Sequence, residues 1–245
     1  MNEAAWLADA ADPQAMLAFV QRTVSERKLR LFACACCRRL AGCDRAPLRD
    51  ALELVESYAD DTAGFEELRE MRGRLAKGQF GNRTDKLVRA AVLATAGAKL
   101  DAAGVAHLVV QGRAEETGGR ALRKQRDANA RYRQASLSSP ERVANEAADV
   151  VRDAERNAQV ELLREVIGNP FRAAPVEPAW LNWMFGTVRK LAQAAYDDRD
   201  FANLPILADA LEEAGCNDEG ILDHCRLRGD HVRGCWAIDA LLGKA

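Results

Sequence analysis

The feature that most constrains the fold is the spacing of apolar residues, which recur every three or four positions along most of the chain. Leu29, Phe32, Ala33, Cys36 and Leu40 form one such stripe. This spacing places apolar side chains on one face of an α-helix, whereas a half-buried strand needs strict alternation. The recurrent stripes therefore predict amphipathic helices that pack against each other.

Capping residues mark where several of these helices begin. Asp12 precedes Pro13, Ser25 precedes the cysteine-rich stripe, and Ser139 precedes Pro140. A side-chain oxygen at the N-cap satisfies free backbone N–H groups, and proline suits the first helical position. Aromatic residues make up only 6% of the chain, which disfavours an all-β fold. These signals predict an all-α protein.

The predicted architecture is a multi-helix array in which the cysteine-rich N-terminal helix packs near a compact C-terminal helical unit. A chain of 245 residues is long enough for one large domain or two small ones. We predict an N-terminal helical region (1–112), a basic connecting segment (113–139), and a long helix followed by the C-terminal unit (140–245). The alternative is that the last region forms one continuous domain with the first.

The seven cysteines fall into two groups at opposite ends of the sequence, and the second group also holds two of the three histidines. Thiolates and imidazoles are ligands that Zn²⁺ prefers. An odd number of cysteines excludes a complete set of intramolecular disulfides. The first group comprises Cys34, Cys36, Cys37 and Cys43, and the second comprises Cys216, His224, Cys225, His231 and Cys235.

Two residue pairs have the spacing of helical metal ligands. Cys34 and Cys37 are three residues apart, so both face the same side of a helix. His231 and Cys235 are four residues apart and have the same property on a helix. The two pairs brought together predict a Cys₃His site for a structural Zn²⁺. The alternate ligands are Cys36, Cys216, His224 and Cys225.

Two other roles remain open for these residues. Free cysteine is among the most buried residue types, and Cys36 lies within an apolar stripe, so the thiols could be small core residues. A thiol beside an imidazole is also the pair used in nucleophilic catalysis, which makes a thiol-dependent enzyme around His224–Cys235 a further alternative. His224 and Cys225 are adjacent and project about 100° apart on a helix, so we do not expect them to bind one ion.

Other catalytic signatures are missing from the sequence. It contains no phosphate-binding loop, dinucleotide fingerprint, H-E-x-x-H pair or nucleophile elbow. We therefore favour a non-enzymatic interaction or scaffold protein, stabilised by structural zinc, that docks on another protein or a protein complex.

Two arginine-rich stretches support an alternative function as a nucleic-acid-associated accessory protein. Clustered arginine and lysine bind phosphate without reading sequence. Because the net charge of the chain is −2, a basic surface would be confined to part of the protein. The candidate residues are Arg27, Lys28, Arg30, Arg38, Arg123, Lys124, Arg126, Arg131 and Arg133.

We expect a cytoplasmic protein that does not enter the membrane. The first residues lack the basic and apolar pattern of a signal peptide. The longest uncharged stretches, around 91–98 and 102–112, are about half the length that a bilayer requires.

Four segments resemble a planctomycete-type family of bacterial helical proteins of unknown function. They are RKLRLFACACCRR (27–39), GNPFR (168–172), LPILADALEEAGC (204–216) and HVRGCW (231–236). The resemblance is concentrated at the two ends of the chain. It implies a bacterial, cytoplasmic origin and no particular activity.

Overall fold

The computed structural model describes residues 1–8, 11–78, 83–132, 139–174, 176–227, 229 and 231–244. Over these ranges the regular structure is entirely helical, which confirms the predicted all-α class. The N-terminal part consists of α1 (Glu3–Leu7), α2 (Pro13–Val20), α3 (Glu26–Arg38), α4 (Leu48–Ala59), α5 (Phe65–Lys77), α6 (Arg83–Thr95), α7 (Ala102–Tyr132) and α8 (Pro140–Ile167).

The C-terminal part is built from shorter helices. Two 3-10 turns interrupt it, at Trp183–Phe185 and Phe201–Asn203. Its α-helices are α9 (Pro178–Asn182), α10 (Thr187–Asp198), α11 (Leu204–Glu213), α12 (Glu219–Arg226) and α13 (Trp236–Leu242).

The predicted N-caps of α2, α3 and α8 are confirmed. The side chains of Asp12, Ser25 and Ser139 each accept a hydrogen bond from a backbone N–H group two or three residues later. These bonds satisfy donors that the first turn of a helix leaves without a partner.

The last helix begins later than the spacing of His231 and Cys235 predicts. Residues 231–234 form a loop, and Cys235 is the N-cap of α13. Gly234 adopts a φ of 93°, a conformation that suits glycine. A Cβ atom at that position would lie 2.9 Å from Leu31 Cδ1. The close approach of this loop to α3 therefore excludes a regular helix through residue 234.

Helices α7 and α8 form an antiparallel hairpin. Gly118 of α7 lies against Ala144, and Gln159 donates a hydrogen bond to the carbonyl oxygen of Ala106 at 2.9 Å. Most of the predicted connecting segment, 113–139, is thus the second half of α7, and residues 133–138 lie outside the described ranges. None of the described helices is both long and apolar enough to cross a bilayer.

Two hydrophobic cores organise the described residues. The first is built from α1–α8 and includes Val160, Leu163 and Val166 near the end of α8. The second begins at Trp180 and is built from α9–α13. The cores therefore separate after α8, because its C-terminal turns pack on the N-terminal helices, whereas the prediction grouped α8 with the C-terminal unit. The predicted division into three regions stays a prediction.

A buried network of charges joins the two parts. Arg27 of α3 forms ion pairs with Asp60 at 2.8 Å and with Asp239 of α13 at 2.7 Å. The Tyr196 hydroxyl donates to Asp60, which Arg233 also contacts at 2.7 Å. Charges buried this deeply need partners of opposite sign, and each part supplies partners for the other.

Lys28 makes a second connection between the two parts. Its ammonium group donates hydrogen bonds to the carbonyl oxygens of Val166 and Gly234, both at 2.8 Å, and pairs with Asp239 at 2.6 Å. These three partners use all three donors of the lysine. The cysteine-rich helix α3 therefore packs against the C-terminal unit, as predicted.

Candidate metal centre

Four potential metal ligands meet where α8 touches the C-terminal unit. Glu165 lies in the last turn of α8, His224 lies on α12, His231 lies in the following loop, and Cys235 begins α13. One ligand atom from each residue lies within 4.8 Å of the others. These residues could hold a metal ion, and the four are called the Glu165 cluster below.

Two glycines permit this convergence. Gly168 ends α8 with a φ of 74°, and a Cβ atom there would lie 2.9 Å from the ring of Trp236. Gly234 allows the loop that carries His231 to lie against α3, as described above. Because neither glycine has a side chain, α8 and α13 can approach closely enough for Glu165 to reach Cys235.

The separations between donor atoms suit a tetrahedral ion. His224 Nε2 lies 3.1 Å from Cys235 Sγ and 3.4 Å from Glu165 Oε2. His231 Nδ1 lies 3.1 Å from Glu165 Oε1. A tetrahedral zinc ion with bonds of 2.0–2.3 Å would separate its ligand atoms by about 3.3–3.6 Å. The four ligand atoms all lie within 4.8 Å of one another, so the more distant donors would have to move closer together to bind one tetrahedral ion.

The hydrogen bonds of His231 prepare it to bind a cation. Its Nε2 lies 3.2 Å from the carbonyl oxygen of Leu227, which only accepts hydrogen bonds, so this nitrogen carries the hydrogen. In a neutral ring, Nδ1 then presents a lone pair to the Glu165 carboxylate. The Nδ1 lone pair and the carboxylate oxygen would repel each other unless a proton or a metal ion lies between them. A metal-bound histidine commonly donates its other N–H to a carbonyl group in this way.

The contact between His224 and Trp236, in contrast, opposes metal binding. The indole N–H of Trp236 donates to His224 Nδ1 at 3.2 Å. In the neutral ring the hydrogen therefore lies on Nε2, which faces Cys235 and Glu165. A metal bound at Nε2 would move that hydrogen to Nδ1, where it would face the indole N–H. Metal binding therefore requires the indole to turn away.

Burial determines the protonation states of two cluster residues. It lowers the pKa of His224 below its usual value, although the Glu165 carboxylate opposes this effect. Burial also raises the pKa of the Cys235 thiol well above its usual value, and the Glu165 carboxylate adds to the rise. Without an ion, the cluster therefore holds a neutral thiol and favours a neutral His224 imidazole.

Only part of the predicted Cys₃His site converges. His231, Cys235 and the alternate ligand His224 meet in the Glu165 cluster. Cys34 and Cys37 do not join them, because both thiols are completely buried in the first core. The structure brings two of the four predicted ligands together and leaves Cys34 and Cys37 in the first core, and the predicted four-residue site stays a prediction.

The remaining alternate ligands also lie in the cores. Cys36 is fully buried in the first core, and Cys216 and Cys225 lie in the second. Burial raises the pKa of Cys225 to about 12. The adjacent residues His224 and Cys225 diverge as expected, because His224 faces the Glu165 cluster and Cys225 faces the interior. For these cysteines the structure agrees with the alternative that they are core thiols.

The ligand that sequence reasoning missed is Glu165. It lies on a helix with many charged residues, and nothing in the neighbouring sequence separates it from the other acidic residues of α8. Its position only three residues before the helix-ending Gly168 is the one local signal, since the last turn of a helix can face the segment that follows. Its contact with His224 is a tertiary contact between residues 59 positions apart in the sequence.

The thiol–imidazole pair of the enzyme alternative is present but is not activated. His224 and Cys235 are in contact, yet Cys235 is only 1% exposed. A reactive thiolate needs an accessible, electropositive setting, whereas Cys235 is buried beside a carboxylate. The geometry therefore does not favour Cys235 as a nucleophile.

The first arginine-rich stretch does not form a basic surface. Arg27, Lys28 and Arg38 are paired with carboxylates, and Arg30, which is 2% exposed, pairs with Glu26. Lys28 and Arg30 are buried, and Arg38, whose side chain is 30% exposed, is held by Glu56, so these cations are poorly placed to contact a phosphate backbone. These four residues therefore give little support to the nucleic-acid alternative, which stays a prediction.

The second stretch lies along the far half of α7. Arg123 and Lys124 are exposed, and Arg126 is 3.6 Å from Glu141 of α8. The side chain of Arg131 and the whole of Arg133 lie outside what the structure describes. Among the residues that the structure describes, an exposed basic segment therefore remains, and Glu141 partly neutralises it.

The chain was also compared with known proteins. No protein-family model, curated protein or solved structure gave a significant match.

Proposed function

We propose that this chain is a non-enzymatic helical interaction protein whose C-terminal unit is fastened to α8 by a structural zinc ion. The observation that carries the proposal is the convergence of Glu165, His224, His231 and Cys235 within 4.8 Å. Two nitrogens, one oxygen and one sulfur form a donor set that suits Zn²⁺. Four protein ligands would close the coordination sphere, as in structural sites.

A zinc ion at this position would stabilise the fold directly. It would join α8, which belongs to the first core, to α12 and α13 of the second core. Because the unfolded chain does not hold the four ligands together, the free energy of metal binding contributes to the free energy of folding. All seven cysteines are free thiols, which suits the reducing cytoplasm that we expect for this protein.

An exposed apolar tip supports the interaction part of the proposal. Phe185 is 92% exposed and Met184 is 61% exposed, at the turn before α10. Both residues have a positive φ, 59° and 44° respectively, which is unfavourable for residues with a side chain. Strained backbone that presents an apolar side chain to solvent is a recurrent feature of binding sites. We propose that this tip contacts a partner protein.

Metal analysis tests the zinc site. The purified protein is expected to bind one zinc ion per chain, and the Co²⁺ form is expected to show the absorption bands of a tetrahedral thiolate site. The variants His231→Gln and Cys235→Ser should lower zinc affinity at least about 100-fold, since each loses a ligand. The control His107→Gln alters an exposed histidine on α7 and should bind zinc normally. A wild-type protein that binds no zinc would disprove the proposed site.

Photocrosslinking tests the apolar tip. A photoreactive phenylalanine analogue at position 185 should yield one discrete adduct in cells, whereas the same analogue at Val150, which is 70% exposed on α8, should not. The adduct should disappear when Met184→Asp is added to the position-185 variant. Absence of any adduct that depends on position 185 would contradict a partner-binding role for the tip.

A further inference from the structure

The side chain of Trp236 borders two pockets. One has a volume of about 600 Å³ and lies beside the Glu165 cluster, three of whose residues line it. The other has a volume of about 430 Å³ and lies along α13, where Trp236 and Lys244 both line it. It is called the α13 pocket below. Because the same indole forms part of both walls, a movement of that ring changes both pockets.

The indole lies against a ligand of the proposed zinc site. Its ring centroid is 4.9 Å from that of His224, and its N–H donates to His224 Nδ1 at 3.2 Å. A zinc ion on Nε2 would place a hydrogen on Nδ1, where it would face the indole N–H. Two donors cannot share that contact, so the indole has to leave His224 when zinc binds.

The α13 pocket has room for the displaced ring. Its volume is in the range of cavities that hold small molecules. Four small residues line it, namely Ala173, Ala174, Gly220 and Ala240. Ala240 follows Trp236 by four positions, so the two side chains are neighbours on one face of α13. The indole already contacts His224 and Gly168 on its other sides, so the free space lies towards Ala240.

The α13 pocket also offers an acceptor for the indole N–H, which a buried tryptophan usually requires. Asp218 lines this pocket. It uses Oδ1 to cap α12, accepting from the backbone N–H of Ile221 at 2.9 Å. Its hydrogen bonds within the described residues leave Oδ2 available. The displaced indole can therefore replace the hydrogen bond that it loses at His224.

We infer that Trp236 is a gate controlled by zinc. The indole lies against His224 when the Glu165 cluster holds no ion and turns into the α13 pocket when zinc binds. This inference rests on the proposed zinc site and adds a conformational response to it. The α13 pocket is then open only without zinc. By linkage, a molecule that occupied this pocket would weaken zinc binding by the factor by which zinc weakens its own binding.

Thiol labelling of an Ala240→Cys variant follows the indole. The seven native cysteines are buried, whereas position 240 is partly exposed at the α13 pocket, so a small maleimide should react mainly with the introduced thiol. Zinc should slow this reaction at least about 10-fold, because the open position of the gate then has a minor population.

Two controls show whether the indole causes this protection. Adding Trp236→Phe to the Ala240→Cys variant should abolish the effect of zinc on the labelling rate, because a phenyl ring has no N–H group and need not leave His224. Ala194→Cys places a thiol at an exposed position of α10, and it should react equally fast with and without zinc.

Filling the α13 pocket tests the destination of the indole independently. Ala240→Phe leaves less room for the displaced ring, so it should weaken zinc binding about 10-fold, a typical cost of overpacking. In a Trp236→Phe background the same substitution should change zinc affinity less than about 2-fold, since the two side chains act through one contact. Ala194→Phe should bind zinc as the wild type does. Isothermal titration with zinc measures all four affinities.

The outcomes separate the two proposals. If zinc binds at one ion per chain but does not slow labelling at position 240, or if Ala240→Phe binds zinc as tightly as the wild type, the gate is wrong and the zinc site stands. If the wild-type protein binds no zinc, the zinc site and the gate that depends on it are both wrong.

Discussion

The cysteines of α3 and Cys235 of the C-terminal unit are equally buried, yet their surroundings differ. Cys34, Cys36 and Cys37 are fully inaccessible and Cys235 is 1% exposed. The carboxylate that raises the pKa of the Cys34 thiol is that of Glu56, which is already paired with Arg38 and Arg199. The carboxylate beside Cys235 instead faces two histidines.

This difference shows that burial does not decide whether a cysteine is a candidate ligand. Burial raises the pKa of the thiols in both groups. A metal ion can offset that effect only where further donors point at the same place. The Glu165 cluster has such donors, whereas the cysteines of α3 have apolar neighbours and paired charges.

The largest expected effect is the stabilisation of the wild-type protein by zinc. At a free zinc concentration about 1,000 times the Kd, the free energy of unfolding should rise by about 4 kcal/mol. Urea denaturation with zinc and with a chelator measures the difference. Cys36→Ser should keep this response and Cys235→Ser should lose it. Equal loss in both variants would mean that the two cysteine groups do not differ as described.

The paired charges beside the α3 cysteines give the second prediction. Burial opposes ionisation of Glu56, but hydrogen bonds from Arg38 and Arg199 outweigh it and lower its pKa below the usual 4.5. Glu56→Gln should therefore destabilise the protein by about 2 kcal/mol at pH 7, because the buried carboxylate that accepts hydrogen bonds from the partly exposed Arg38 and Arg199 loses its charge. A depressed folded-state pKa stabilises the protein above pH 4.5, and this contribution disappears as pH falls through the folded value.

The difference between wild type and Glu56→Gln should accordingly shrink in acid. Unfolding curves from pH 7 to pH 3 measure it. The control Glu53→Gln changes a residue of α4 whose side chain is 54% exposed, and it should have little effect at any pH. A constant difference across this range would show that ionised Glu56 does not stabilise the fold.

Serine substitutions without metal compare the two groups directly. Cys36→Ser should cost about 1–3 kcal/mol, because it buries a hydroxyl group among apolar side chains. Cys235→Ser should cost less than about 1 kcal/mol, since His224 and Glu165 can hydrogen-bond to the new hydroxyl. Urea denaturation in the presence of a chelator measures both values. The reverse order would contradict the polar surroundings assigned to Cys235.

The smallest expected effect concerns the indole that opposes metal binding. Trp236→Phe removes the N–H group directed at His224 Nδ1, so zinc affinity should increase about 5- to 10-fold, comparable to one hydrogen bond. Isothermal titration with zinc measures the change. Trp180→Phe, which removes a buried indole from the second core, serves as the control. Weaker zinc binding in Trp236→Phe would show that the indole supports the metal site.

The sequence by itself determined the helical class and several helix boundaries. Local interactions set these features, because a capping side chain such as Ser25 bonds within its own first turn and a stripe such as Leu29 to Leu40 depends only on helical periodicity. The histidine and cysteine content near the C-terminus was equally visible, and it pointed to three residues of the Glu165 cluster: His224, His231 and Cys235.

Only the tertiary structure decided which donors share a site. Spacing paired Cys34 with Cys37 on α3, but helix packing turned both into the first core. His231 and Cys235 met through a loop that Gly234 permits, rather than through the predicted helical turn. Glu165 joined them from a distant part of the chain. Such contacts depend on the packing of whole helices, and no local pattern of residues encodes them.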